Sequence, residues 1–499
     1  MTSTIHGHDR TDAALTVPTH PAAPAGFGLT TAREAAPALQ NWLDYQRRYL
    51  RTPGVQAAVR VGDELVLSIA LGYSDEVAGT PLGTDHLFRI ASHSKTFTAT
   101  SILQLVEQGK VRLDDPVDAH IAELAGSALG PVTVRELLGH QGGVIRDGVD
   151  KDYWQLMDPF PDREALIALC LANGRIFEPN EYFKYTNIGY SLLGLVIEAA
   201  SGLSYGDYVE ANIIGRLGLT NTGAEWDPLR AGEYAAGHTG LLDGSDVRQT
   251  IPHVDTRAMA AATGFYSTAE DLTSYGAAHF FGAEQLLTDA SKRLLQRDES
   301  LINAHGNEIG RYGLGMIIGT IGDRRLVGHS GGYPGHITRT FIDPVDQLVV
   351  SVLTNCIGGP AEALATGVVK LLNLAAQPPA GTQVPADIDA RRFCGNFANL
   401  MGVISVSLLG GRLVAFFPAA PNPVESYEEL QVIDENTLAV VPAAGYGSIG
   451  EKVEYRWDAD GQPSVVRYGG SSRWPVEVFR ARRSAQIADA EVHSLARRS

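Results

Sequence analysis

Ser92 and Lys95 stand three residues apart, the spacing that places two side chains on one face of a helix. A strand-like apolar run at 87–91 leads into them and a helix-like run at 96–106 follows. The pair is therefore expected at a helix N-terminus, where free N–H groups and the positive end of the helix dipole lie. A hydroxyl, an amine beside it and backbone donors for an oxyanion are the parts of an acyl-transfer nucleophile. Ser-x-x-Lys occurs once in this chain, which holds only seven lysines.

Tyr185-Thr186-Asn187 is the only Tyr-x-Asn among 18 tyrosines, and it precedes a helical run at 188–200. Free phenol and lysine amine both titrate near pH 10, so each is a poor base at neutral pH. In a dry cleft, a lysine charge lowers the phenol and desolvation lowers the lysine, so that one of the two can take the Ser92 proton. Asn187 offers a carbonyl to the ammonium and an amide to the substrate. His-x-Gly occurs three times, at His140, His238 and His329. His140 sits in a loop-rich stretch and His238 before a Gly/Asp-rich loop, and both read as structural. His329 ends a strand-like run and leads into Gly331, Gly332 and Tyr333. Glycines there let a strand edge approach a substrate closely, and the Gly332 N–H can join that of Ser92 as an oxyanion hole. Gly331, Gly332, Tyr333 and, past the turn, His336 are expected on the substrate-binding wall.

These residues need a scaffold that joins early and late segments. A helix is expected at 31–51, then a hairpin of 55–61 and 64–71 around Gly62-Asp63. Helical patterns run from Ser92 to about 214. Strand character returns at 310–319, 325–328, 336–342 and 347–353, and a helix at 360–375 closes the region. The expected fold is α/β (α+β): an antiparallel sheet flanked by helices over 27–376. A tail at 1–26 precedes it, and a Pro-containing linker at 377–390 follows. Short strand-like runs at 401–408, 412–417, 429–433, 437–441, 452–457, 464–468 and 475–480 predict a small all-β barrel-like domain over 391–482, with a C-terminal tail at 483–499. Loops at 140–165 and 230–260, with Trp154, Phe160, Tyr234 and nearby Trp226, are expected to form an apolar pocket over the cleft.

The whole chain narrows the function class. Its 499 residues carry Lys+Arg 40 against Asp+Glu 57, a net charge of −17, which argues against nucleic acid and anionic membranes as partners. Cys170, Cys356 and Cys394 are far apart and read as reduced, buried thiols. No metal or cofactor is implied by the spacing of His, Asp, Glu and Cys. Residues 1–24 lack the apolar core of a signal peptide, and the expected location is the cytoplasm. A small-molecule ester or amide is the expected partner, and self-association into a homo-oligomer is compatible.

The ordered set Ser-x-x-Lys, Tyr-x-Asn and His-Ser-Gly resembles the serine β-lactamase and penicillin-binding protein superfamily, in the branch with class C β-lactamases, β-lactamase-fold carboxylesterases and D-aminopeptidases. Phe88-Arg89-Ile90-Ala91-Ser92, Leu137-Leu138-Gly139-His140 and the run from Gly328 to Gly335 share that resemblance. It covers about 30–375, and 391–480 is similar to β-barrel domains appended to some D-aminopeptidases. The resemblance implies that Ser92 is acylated, that Lys95 and Tyr185 share acid–base work, that Asn187 orients Lys95 and substrate, and that His329 bonds Tyr185 or substrate. Relatives that act on β-lactams usually carry lysine where His329 stands, and histidine there turns the expectation toward a carboxylesterase or lactonase. The alternatives are a D-aminopeptidase or D-amino-acid amidase, then a β-lactamase or DD-peptidase, or a non-catalytic sensor module.

Overall fold

In the computed structural model, residues 26–241, 245–378, 388–441 and 448–496 are described. The expected N-terminal tail and most of the expected linker lie outside them. Helix α1 (Leu29–Tyr49) buries Ala32, Ala35, Leu39, Trp42, Leu43 and Gln46, a stripe at helical spacing. Strands β1 (Gly54–Val61) and β2 (Glu64–Asp75) form the expected hairpin. The late strands are β3 (Asn307–Tyr312), β4 (Ile317–Ile321), β5 (Arg324–Tyr333), β6 (His336–Asp343) and β7 (Leu348–Thr354).

All pair antiparallel in one nine-stranded sheet, where β1 lies beside β7, so early and late segments meet at its centre. Every residue of β7 is buried, as a central strand covered on both faces requires. Helix α2 (Ser94–Glu107) and helix α3 (Asn187–Ser201) pack in the helical layer on one face. Helices α1 and α4 (Ala361–Ala376) cover the other. Gly367 lets them approach: a Cβ there would lie 2.0 Å from the Trp42 ring.

Three strand expectations change. The expected strand 310–319 is broken between β3 and β4, because the backbone at Gly315 passes against α2, where a Cβ would lie 2.4 Å from that of Ala99. Strand β5 does not end at His329 but continues through both glycines to Tyr333. The run 475–480 is the start of a helix, Val476–Ala496, rather than a strand. Ser471–Pro475, a strand missed in the sequence, already closes the eight-stranded barrel against Gly395–Asn399, which leaves the following residues no edge to join. The barrel is tied to the sheet-and-helix domain: Arg412 donates to the carbonyls of Leu374 and Gln377, and Asn41 bonds Asn396.

Candidate active site

The nucleophile turn is built by strain and then pinned. Ala91 holds a left-handed φ of +48°, a conformation that costs a non-glycine residue of the order of 1 kcal/mol. Ser94 holds the turn: its hydroxyl donates to the Ala91 carbonyl at 2.6 Å and accepts from the Phe265 amide at 3.1 Å. His93 ties the turn to β6, with its ring nitrogens 3.2 Å from the Ile90 carbonyl and 3.0 Å from Thr340 Oγ1. Burial lowers the His93 pKa to about 3, so this strut is neutral. Helix α2 is buried on all sides although rich in Ser and Thr, because hydroxyls such as those of Thr98 and Ser101 bond carbonyls one turn back.

Lys95 is fully buried with three oxygens around its amine: Ser92 Oγ at 3.1 Å, Asn187 Oδ1 at 2.7 Å and the Ala262 carbonyl at 2.8 Å. Burial drives its pKa well below the ordinary lysine value; the Asp147 carboxylate opposes this and the Arg146 charge adds to it. The Tyr185 hydroxyl donates to Ser92 Oγ at 2.9 Å. Its pKa is raised, chiefly by burial, against lowering by the Ser92 hydrogen bond and Arg146. The expectation that lysine charge lowers this phenol is therefore corrected: desolvation outweighs the charges and keeps the proton on Tyr185.

Tyr185 and Asn187 are placed by the loop in front of α3. His140 accepts from the Thr186 amide at 3.1 Å through Nδ1, and its carbonyl accepts from the Lys184 amide at 2.8 Å. Its ring lies 4.3 Å from that of Tyr185, so the structural reading of His140 stands on direct support of the site. Thr186 caps the helix by accepting from the Gly189 amide.

His329 lines the cleft, but its implied bond to Tyr185 is not present. The Tyr185 ring is 6.4 Å away, and His329 Nε2 faces the Tyr312 hydroxyl at 3.0 Å. Its Nδ1 lies 2.6 Å from the Ser330 carbonyl, which can only accept. Nδ1 therefore carries the proton and Nε2 accepts from Tyr312. Burial holds the His329 pKa well below the ordinary value, so it offers no positive charge.

A cleft of about 620 Å³ brings together Ser92, Tyr185, Asn187, His329 and Gly332, with Ser330 and Ile317. Pairing of β5 with β4 ends at Gly328, so among the described residues the edge of β5 beyond it has no strand partner on that side. Gly331, Tyr333 and His336 do not line this cleft. Gly331 packs where a Cβ would lie 2.1 Å from the Ile90 carbonyl, so its lack of a side chain admits the nucleophile turn. Tyr333 stacks under Arg89, and His336 sits buried between Phe88 and His253.

The remaining wall lies within the loop expected over the cleft at 140–165, but its charge was not legible in the sequence. It comes from 146–155 and is charged: Arg146, Asp147, Lys151 and Asp152 line it, with the neutral Gln155 and Trp154. The apolar-pocket expectation is corrected accordingly. Of its four aromatic residues only Trp154 reaches the cleft. Phe160 is in the core, and Tyr234 and Trp226 pack with Leu87 and Tyr266. His238 is held by the Asn355 carbonyl at 2.8 Å and the Glu76 amide at 3.1 Å. The cysteines are free thiols, with Cys394 only partly buried.

A serine hydroxyl between a buried lysine and a buried tyrosine, on an antiparallel sheet beside a helical layer, is the arrangement of a serine hydrolase site. The Beta-lactamase family model matches residues 40–373, and the chain belongs to that family, whose members are serine hydrolases. Its relatives include Penicillin-binding protein 4* of Bacillus subtilis (strain 168), 29% identical over 56% of this chain and 62% of that protein. Protein flp of Staphylococcus aureus (strain MRSA252) is 24% identical, over 61% of its length. The chain thus spans about three fifths of these two relatives. The D-aminopeptidase of Brucella anthropi is 25% identical over 78% of this chain and 72% of its own. An octameric penicillin-binding protein homologue from Pyrococcus abyssi shares the fold, with a TM-score of 0.60 at 22% identity, covering 88% of this chain and 99% of that one. The D-amino acid amidase of Ochrobactrum anthropi SV3 has a TM-score of 0.56 at 25% identity, over 67% of this chain and 98% of its own. Among the described residues no single helix is long and apolar enough to cross a membrane.

Proposed function

We propose that this chain hydrolyses the amide bond of small D-amino-acid amides or short peptides through an acyl-Ser92 intermediate. The observation behind the chemistry is the hydrogen-bond chain from Tyr185 through Ser92 to Lys95. Two of the three oxygens around Lys95 Nζ, from Asn187 and Ala262, can only accept. A neutral amine gives its two N–H groups to them and turns its lone pair to the Ser92 hydroxyl. Burial favours that neutral form. Lys95 is the base that takes the Ser92 proton as Oγ attacks the carbonyl. The Ser92 and Gly332 amides take the oxyanion. Tyr185, still protonated, gives its proton to the departing amine and regains one from the Lys95 ammonium. A water then attacks the acyl-enzyme by the reverse roles.

The amide preference replaces the expected ester preference because of the charged wall. Asp152 is exposed on the cleft and its carboxylate has no partner among the described residues, which suits a substrate ammonium. The neutral His329 leaves the cleft without the buried cation expected for a β-lactam carboxylate. The similarity to a D-aminopeptidase and a D-amino acid amidase supports the D configuration. Ester cleavage is the second reading, favoured by Trp154 and Ile317 in the same cleft. The test is turnover of D- and L-amino-acid p-nitroanilides and p-nitrophenyl esters, with Ser92→Ala as control. D-amide turnover lost in Ser92→Ala is expected. Turnover of esters alone rejects the amide reading, and turnover surviving Ser92→Ala rejects the acyl-enzyme.

A further inference from the structure

We propose that Asp147 is a positioning residue: by capturing the Asn187 amide it fixes the Asn187 carbonyl on Lys95 and so turns the lysine lone pair toward Ser92. The proposal rests on the acyl-Ser92 reading above. A side-chain amide has an oxygen end and an NH2 end of nearly equal shape, and its surroundings decide which faces where. Here Asn187 lies between Lys95 and Asp147, with Oδ1 2.7 Å from the amine and Nδ2 donating at 2.6 Å to Asp147 Oδ1. An ionised carboxylate only accepts, so it admits just one orientation. With the amide reversed, the NH2 end would face Lys95 and occupy the lone pair that Ser92 needs. One N–H of the Asn187 amide is taken by Asp147, and the second stays available for the expected contact with substrate at the cleft.

Asp147 is itself fixed. It is 5% exposed, Trp154 Nε1 donates to its Oδ1 at 3.2 Å, and Arg146 Nε donates to its Oδ2 at 3.1 Å. Tyr153 donates to its backbone carbonyl. The loop 146–155 therefore does more than line the cleft: it carries the group that orients Asn187 from a different part of the chain. Asp147 also places a negative charge near Lys95. The other groups facing that amine are the Tyr185 and Tyr190 rings at 4.9 and 5.5 Å, and Arg146, His140 and His329 couple to its charge.

The two effects separate by substitution. Asp147→Asn keeps an oxygen for the Asn187 amide and Trp154 but removes the charge; Asp147→Ala removes both. The readout is the rate of covalent labelling of Ser92 by a fluorophosphonate probe from pH 5 to 9, followed by intact mass, with thermal melts of each variant. Asp147→Ala is expected to slow labelling 10–100-fold at the plateau. Asp147→Asn is expected to stay within about fivefold of wild type there, with its acidic limb moved to lower pH, because the charge favouring protonated Lys95 is gone. Asp147→Ala labelling at the wild-type rate overturns the proposal. So does an Asp147→Asn variant as slow as Asp147→Ala with an unmoved limb and an unchanged melt. Labelling that persists in Ser92→Ala rejects instead the acyl-Ser92 reading, so the two failures are distinguishable.

Discussion

Tyr185→Phe separates the acid from the base. The change deletes one oxygen and keeps the ring beside His140. Among the described residues that oxygen has one hydrogen bond, to Ser92 Oγ at 2.9 Å, and burial keeps it protonated. If Tyr185 is the acid, its loss matters most for a leaving group that must gain a proton. An amine is one, and a general acid supplies about 10²–10⁴ in rate, or about 3–5 kcal/mol of barrier. A p-nitrophenolate leaves as an anion and needs no such proton. For that ester the variant loses only the hydrogen bond to Ser92, about 1 kcal/mol or roughly fivefold. The assay is kcat/KM for one acyl group carried as both anilide and p-nitrophenyl ester. The expected ratio of losses, anilide over ester, is at least about 20-fold. Equal losses on both would refute the assignment, since a missing base slows attack on either substrate.

Other consequences follow from the same geometry. Lys95→Met fills the buried site without an amine and should lower kcat/KM on amide and ester alike by more than about 10³-fold, with a melting temperature equal to or above wild type; a large ester-specific residue of activity would speak for another base. Gly331→Ala places a Cβ 2.1 Å from the Ile90 carbonyl and 2.5 Å from Thr338 Oγ1, so a loss of about 1–3 kcal/mol in urea unfolding is expected together with reduced turnover; an unchanged midpoint contradicts the close approach. Buried His93 and His279, lowered to about 3, and His253, lowered to about 4, bind no proton in the folded state between pH 6 and 5. Above the ordinary histidine value both states are neutral and nothing is lost; below it only the unfolded chain is protonated. Stability should therefore fall by about 1.4 kcal/mol per pH unit for each such histidine as pH drops from 6.5 toward 4, read as a falling urea midpoint, and a flat midpoint from pH 7 to 5 contradicts their burial.

Much of the site could be read from residue type and spacing because its parts lie in short motifs with local geometry. Ser92 and Lys95 are one helical turn apart, and Tyr185 and Asn187 flank a helix cap. Their meeting across the fold was legible only through order and resemblance, since the contact depends on β1 pairing with β7. Asp147 was invisible for a physical reason: it stands in an irregular loop, and its role comes from facing Asn187, 40 residues away. Tyr312, the partner of His329, was missed because it lies on another strand. Tyr333 and His336 belong to the same glycine-rich stretch as Gly332, yet strand continuation through Tyr333 buries them against Arg89 and Phe88 instead of the cleft. Barrel strands were found where apolar alternation was clear, and the error at 475–480 arose because that alternation says nothing about whether an edge remains to be joined.

The central claim is that Ser92 carries the acyl group. It is tested most directly by mixing the protein with a D-amino-acid p-nitrophenyl ester, quenching in acid within milliseconds to seconds, and mapping the adduct by peptide mass. The account predicts a transient gain of one acyl mass on the peptide containing Ser92, absent in Ser92→Ala. Substrate turnover without any adduct on that peptide, or with the acyl group on another residue, would contradict it.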